Sequence, residues 1–256
     1  MEFRNKTILI TGGASGIGFG FAQKLVAKGN TVVIVGRSLD KLKEAHEKIP
    51  SLIFLQCDVS DPGSIDKLFE ELKVKEIVLD VVFNNAGVLE VWDIANQVIS
   101  SADLFTKINT NLTGPIAISQ HFIRQANTNK DNYIINISSE AAIMPVPILP
   151  LYTSSKAGLS VFTHALRMQL KNTSFKVVEI IPPATETKMT TSDMNNTTKL
   201  ANPNVFAAQV IKQLEAGKRY YAPSGNAKLL VFLRRMLPAL GLEIVHKVSK
   251  KQLLGQ

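Results

Sequence analysis

The chain lacks most features that mark exported, metal-binding or membrane-spanning proteins. One cysteine, Cys57, in 256 residues excludes an internal disulfide and suits a reducing, cytoplasmic setting. Uninterrupted apolar stretches such as LLVFL at 229–233 are far too short to span a bilayer. The opening MEFRNKTILIT has no apolar run followed by a small-residue cleavage site, so no export signal is expected. No His or Cys spacing matches a metal site, and none is expected. Acidic residues are in deficit, with a net charge of +8, but unevenly so. From 211 to 256 nine Lys or Arg stand against Glu215 and Glu243, a local balance of +7 that leaves the preceding 210 residues nearly neutral. A basic segment on a neutral body argues against a nucleic-acid-binding protein. The 45% hydrophobic and 20% charged residues are ordinary for a soluble protein with a sizeable core.

What is present is a regular alternation. Apolar runs at 7–11 (TILIT), 31–35 (TVVIV), 52–55, 78–83, 134–137 and 176–181 read as strands. Gly29 closes the first intervening helix, 39–48 reads as a second, and Asp61-Pro62 opens a third with an N-cap and an N1 proline. Longer helical patterns fill 101–127 and 151–171. Strands apolar on both faces, separated by helices, predict an α/β fold: one doubly wound parallel sheet of Rossmann type, about seven strands, flanked by helices. No repeat or long linker divides the chain, so 1–256 is expected to be a single dinucleotide-binding and catalytic domain. The polar TTSDMNNTT at 190–198 is expected to belong to a lid at about 188–201. Asn202 and Pro203 then start a helix that Gly217 ends, and further helices are expected at about 226–251.

Two stretches carry chemistry. TGGASGIG, at 11–18, follows the first strand and opens a helix. Glycines there permit a tight turn and close backbone approach, and a helix N-terminus offers N–H groups to a pyrophosphate. PLYTSSKAG, at 150–158, sets Tyr152 and Lys156 four residues apart on one helical face. A free phenol titrates near 10. A lysine cation one turn away favours the phenolate and is expected to lower that value, which would let Tyr152 act as general acid in reduction and general base in oxidation. Ser139 can hydrogen-bond a substrate oxygen and hold it in line.

These stretches, taken with NNAG at 84–87, TNLTG at 110–114, NISS at 136–139 and YTSSK at 152–156, resemble the short-chain dehydrogenase/reductase family over residues 5–187. The resemblance implies an oxidoreductase that moves a hydride between a nicotinamide cofactor and a carbonyl or alcohol. It implies cofactor contacts from Gly12, Ser15, Gly16, Ile17 and Gly18, from Asn85, Ala86 and Gly87, and from Asp58 and Val59 beside the adenine. Asn111 is implied to distort its helix and anchor a water in the proton relay, and Lys156 to bind the nicotinamide ribose as well; with Ser139 and Tyr152 they form the implied catalytic set. A homodimer or homotetramer built on the long helices is the family habit. Where the family shows Pro-Gly-x-x-x-Thr, this chain has Pro182-Pro183-Ala184-Thr185-Glu186-Thr187; Pro182, Thr185 and Thr187 are implied to reach the nicotinamide carboxamide, although Pro183 bars positive φ in the turn. The Pro-Pro-Ala turn is similar to a branch of the family associated with D-alanyl lipoteichoic acid operons.

Several residues admit two readings. The second strand ends in Val35-Gly36-Arg37-Ser38, with no carboxylate before Asp40. Arg37 could pair with a 2′-phosphate and Ser38 add a hydrogen bond, favouring NADP(H); as a mere solvated charge, Arg37 would leave NAD(H) open. Ser15 stands where some NADP-preferring relatives carry a base. Asp58 could instead cap the following helix. His164 reads as structural or interfacial, Cys57 as a small apolar residue, and Trp92 as a packing anchor or a substrate stack. The segment LLVFLRRMLPALGLEIV could wall an apolar substrate pocket or lie on an anionic membrane surface. A catalytically weak dinucleotide-binding regulator on the same fold is the alternative to the enzyme.

Overall fold

The first strand, β1 (Thr7–Thr11), is a β-branched apolar run whose alternate residues enter different cores. Ile8 and Ile10 join Phe21, Leu25, Ile34, Phe83 and Phe206 on one face of the sheet. Leu9 points the other way, among Val33, Val35, Phe69, Val82, Ile118 and Phe122. Burial on both faces is why the strand is continuously apolar rather than alternating. The structure, a computed structural model, describes residues 3–185, 201–222 and 225–254.

Around β1 stand β2 (Thr31–Gly36), β3 (Ile53–Gln56), β4 (Val81–Asn84), β5 (Asn132–Ile137), β6 (Phe175–Ile180) and β7 (Tyr220–Tyr221). They form one seven-stranded sheet in the order β3-β2-β1-β4-β5-β6-β7, and every ladder is parallel. The expected doubly wound sheet is therefore present, although β7 matches none of the apolar runs. The helices are α1 (Gly16–Val26), α2 (Leu39–Lys48), α3 (Pro62–Val74), α4 (Ser101–Ile108), α5 (Gly114–Gln125), α6 (Glu140–Ile143), α7 (Pro150–Gln169), α8 (Pro203–Glu215), α9 (Gly225–Met236) and α10 (Pro238–Leu254).

Local signals act as expected at several ends. Gly29 and Gly217 both take φ +79, the left-handed conformation that ends a helix cheaply only in glycine. Asn202 caps α8 by accepting from the N–H groups of Asn204 and Val205. Asp61 caps α3 through the Gly63 N–H, which overturns the N-cap alternative for Asp58. The helix expected at 101–127 is not continuous: residues Asn109–Thr113 form a π-helical turn between α4 and α5. Such turns cost hydrogen-bond geometry and mark sites where a side chain has been re-aimed.

Strand order reverses between β1 and β4, since the chain passes from β1 outward to β2 and β3 and then returns to the other side. Loops leaving β1 and β4 part there, opening a crevice at the carboxyl ends of the strands. The glycine loop and NNAG are those two loops.

Candidate active site

Thr11 ties the two sides of the crevice together. Its hydroxyl accepts from the N–H groups of Asn85 and Ala86, both at 2.9 Å, and donates to the Phe83 carbonyl at 3.3 Å. The Asn85 amide returns the bond, donating to the Thr11 carbonyl at 2.9 Å. Gly12, at φ +64, lies against Ala86, where a Cβ would meet the Ala86 Cα at 3.1 Å. A Cβ on Gly18 would collide with the Gly12 carbonyl oxygen, so the turn closes on itself only with glycine there. Ser15 takes an extended conformation at the N-cap of α1, and its hydroxyl caps nothing. Gly16, Ile17 and Gly18 form the first turn of that helix, whose N–H groups have no partner within the helix.

The second half of the site is built from buried side chains. Asn111, on the π-helical turn, holds Val88 at both ends: its Oδ1 accepts from the Val88 N–H at 2.8 Å and its Nδ2 donates to the Val88 carbonyl at 2.9 Å. The same Nδ2 donates to the Ser155 hydroxyl at 3.1 Å, and Ser155 donates to the Tyr152 carbonyl at 2.8 Å. Asn111 thus joins the segment after NNAG to α7. The buried Lys156 ammonium donates to the Ile137 carbonyl at 2.9 Å, at the end of β5. Gly87 lies between the two residues; a Cβ there would sit 3.3 Å from Asn111 Oδ1 and 3.4 Å from Lys156 Nζ. Ser139 caps the short α6, accepting from the Ala141 N–H at 3.2 Å, and its hydroxyl is near enough to Tyr152 to act on the phenol.

Burial acts on the charges of this pair in a way the sequence does not anticipate. It pushes the Tyr152 phenol above its ordinary value, and the Ser139 hydroxyl pulls back only in part. Desolvation also lowers Lys156 to about 8. The expected lowering of the phenol is thus not found in the protein alone. Desolvation thus moves a half-buried phenol and a buried lysine each toward the neutral form, and Lys156 remains mostly protonated at pH 7.

Further along the same carboxyl edge, the adenine-side candidates are separately placed. Arg37 is exposed just beyond β2; its carbonyl accepts from Gln56 Nε2 at 2.9 Å, and its guanidinium makes no ion pair among the described residues. Ser38 is partly committed, since its hydroxyl caps α2 by accepting from the Lys41 N–H. Asp58 accepts from the N–H and hydroxyl of Ser60 at 2.9 and 2.7 Å, which fixes the loop after β3. The Val59 side chain is in the core, while its carbonyl abuts Gly114, where a Cβ would collide.

Pro182 and Pro183 follow β6 half-buried, and the buried Thr185 hydroxyl donates to the Pro183 carbonyl at 2.8 Å. Thr185 also forms a parallel bridge with Ala201. Thr187 and the expected lid, apart from Ala201, lie outside the described residues. The C-terminal helices pack one face beside the site. Arg234 Nη1 donates to the carbonyls of Ala142 and Ile143 at 2.9 and 2.6 Å. Gly241 is pressed against the Met144 side chain, and Ala227 packs with Ile143 and Ile181.

The remaining candidates have structural partners. His164 Nε2 lies 2.9 Å from Glu179 Oε2. Trp92 donates its indole N–H to the Gln97 carbonyl, and Cys57 is buried in the core. Sequence reasoning passed over Thr11, Ser155 and a buried amide network in which Asn84 donates to Asn136, and Asn136 to Thr163, each at 2.8 Å. The one available signal was position: Thr11, Asn84 and Asn136 all stand at or near the carboxyl ends of apolar strands.

The model of the family described as short chain dehydrogenase matches residues 6–198. An uncharacterized oxidoreductase, DltE, of Bacillus subtilis (strain 168) is 35% identical over 190 residues, 73% of this chain and 74% of that protein. This likeness is in keeping with the branch that the Pro-Pro-Ala turn resembles. A short chain dehydrogenase of Burkholderia cenocepacia J2315, solved in complex with NADP, superposes with a TM-score of 0.81 at 17% identity, covering 96% of this chain and 99% of the other. A short chain dehydrogenase/reductase of Burkholderia phymatum, solved in complex with NAD, reaches 0.83 at 20%, covering 96% and 97%. Those two likenesses speak to the fold; the family match covers both loops of the crevice and the Tyr152–Lys156 helix. The chain belongs to the short-chain dehydrogenase/reductase family of oxidoreductases.

Proposed function

We propose that the protein interconverts a carbonyl and an alcohol with a nicotinamide dinucleotide, preferring NADP(H). The observation that carries this reading is the convergence of Gly87, Asn111 and Lys156 within one van der Waals shell, at the crevice that the glycine loop borders. The residues fit such a cofactor. The glycine turn brings backbone close to the crevice, and Lys156 is a buried cation whose ammonium donates to the Ile137 carbonyl. Gly12, Ser15, Gly16, Ile17 and Gly18 would hold the pyrophosphate, Asn85, Ala86 and Gly87 the nicotinamide side, and Lys156 the ribose. Pro182, Thr185 and Thr187 would border the carboxamide, and Asp58 and Val59 the adenine, Val59 through its backbone.

A nicotinamide dinucleotide bound there supplies or accepts the hydride. The protein's part is the proton. Ser139 would hydrogen-bond the substrate oxygen beside Tyr152, and Tyr152 would give its phenolic proton to that oxygen as negative charge develops. In the opposite direction the phenolate removes the proton from the alcohol. Lys156, protonated, favours the phenolate and opposes the effect of burial. Asn111 keeps Val88 and Ser155 in place around it. A sensor of redox state needs the glycine turn but not a buried lysine one helical turn from a half-buried phenol, which weighs against the regulator.

Arg37 supports the NADP(H) preference: it is exposed, without an ion pair among the described residues, and positioned beyond β2 where a 2′-phosphate would lie. Relatives of this fold solved with NADP and with NAD leave both cofactors open to the family. The reading includes a single catalytic domain, a cytoplasmic setting suited to the one buried thiol, and a homo-oligomer supported by the exposed Phe105, Val161 and Met168 on α4 and α7. An apolar carbonyl substrate matches the apolar C-terminal helices beside Ser139. The test is a screen for NADPH and NADH oxidation against aldehydes, ketones and quinones. Turnover with no member of the panel and neither cofactor would overturn the enzyme reading.

A further inference from the structure

The C-terminal helices have a second face on which none of the described residues packs. On α9, Leu229, Phe232 and Met236 recur at helical spacing; on α10, Leu240, Ile244 and Val248 do the same. All six are between 42% and 60% exposed, in contrast to Leu233, Gly241 and Ser249, which are buried on the packed face. The two stripes meet at the junction of Met236 and Pro238. Arg235, Lys247 and Lys250 are exposed beside them, and Glu243 is the one acidic residue of either helix. No described helix is long and apolar enough to cross a membrane.

We propose that this face is a docking surface for an anionic lipid membrane, on which α9 and α10 lie in the headgroup plane. Apolar stripes of this depth reach the headgroup–acyl boundary, and lysine and arginine beside them contact acidic headgroups. Charge decides between a membrane and a second copy of the chain. Residues 211–256 carry nine bases against two acids, so a two-fold contact through this face would set one positive segment against another. An anionic surface pairs with that charge, and the nearly neutral body does not oppose it. The Arg234 bonds and the Gly241–Met144 contact hold the inner face in place while the outer face docks. The proposal stands independently of cofactor choice and of the proton relay.

The experiment is flotation of the full chain with vesicles of equimolar phosphatidylcholine and phosphatidylglycerol, and with phosphatidylcholine alone. The expected result is binding to the anionic vesicles only, weakened by added salt as screening shortens the reach of the charges. The triple variant R235E/K247E/K250E is expected to bind about a hundredfold more weakly, and F232S/I244S roughly tenfold. Far-UV circular dichroism checks that both variants fold; the lipid and salt comparisons on the unaltered protein need no variant. Failure of the unaltered protein to float with anionic vesicles would overturn the proposal. So would equal binding to neutral vesicles, or full binding by the folded triple variant. A dimer that F232S/I244S dissociates, with no flotation, would assign the face to a second copy instead.

Discussion

The two halves of the site are built by different means. The cofactor side rests on backbone: glycines that let a turn close on itself, the start of α1, and Thr11 holding two loops at 2.9 Å. The relay side rests on side chains, the buried Asn111 and Lys156 and the half-buried Tyr152, and desolvation disfavours the charged forms of the last two. Backbone geometry creates affinity with little strain on charge. Buried polar groups create reactivity at the expense of stability.

Separate variants should separate the halves. Tyr152→Phe removes only the proton donor, so turnover is expected to fall about a thousandfold with dinucleotide affinity unchanged by fluorescence titration. Reduction of carbonyls at the normal rate would end the assigned chemistry. Lys156→Met tests the cost of the relay side. A depressed lysine is destabilised in its charged form, so the cost is full below pH 8, falls as pH rises through about 8, and is gone above the ordinary value of 10.5. Allowing for the lost bond to the Ile137 carbonyl, the variant should gain about 2 kcal/mol at neutral pH, a melting temperature roughly 4–8 °C higher. The two proteins should converge as pH rises toward 10; a variant less stable than its parent at pH 7 would mean that Lys156 is not penalised by burial. On the cofactor side, Arg37→Asp should weaken NADPH about tenfold while sparing NADH. Equal affinities of the parent protein for the two cofactors would remove Arg37 from the argument.

The same division explains what the sequence made legible. TGGASGIG could be read because only glycine fits where a Cβ would strike the Gly12 carbonyl or the Ala86 backbone. The Tyr152–Lys156 spacing could be read because a helix brings such residues onto one face. Neither rule reaches Ser155 or the Asn84–Asn136–Thr163 network, whose bonds join residues 27 to 52 positions apart. The π-helical turn was legible only through resemblance, for no local propensity marks Asn109–Thr113. Two-residue β7 is too short to carry an apolar period, and its pairing with β6 makes it a strand. Asp58 and Asp61 both suit an N-cap, and only the Gly63 N–H shows which one serves α3. The direction of the Tyr152 shift depends on how much protein surrounds the phenol, a quantity that no motif carries.

Arg234 also bears on the order in which the molecule matures. Its bonds to Ala142 and Ile143 span 92 and 91 residues of chain, a longer closure than the 74 and 75 residues that Thr11 spans to Asn85 and Ala86. Long closures are entropically slow, so the nucleotide-facing half is expected to form before the segment that follows Ser139 is clamped. In refolding, dinucleotide binding should then return before turnover. Simultaneous recovery of the two signals would show that the clamp forms with the sheet. A nascent enzyme of this design would hold its coenzyme for a time before it could use it.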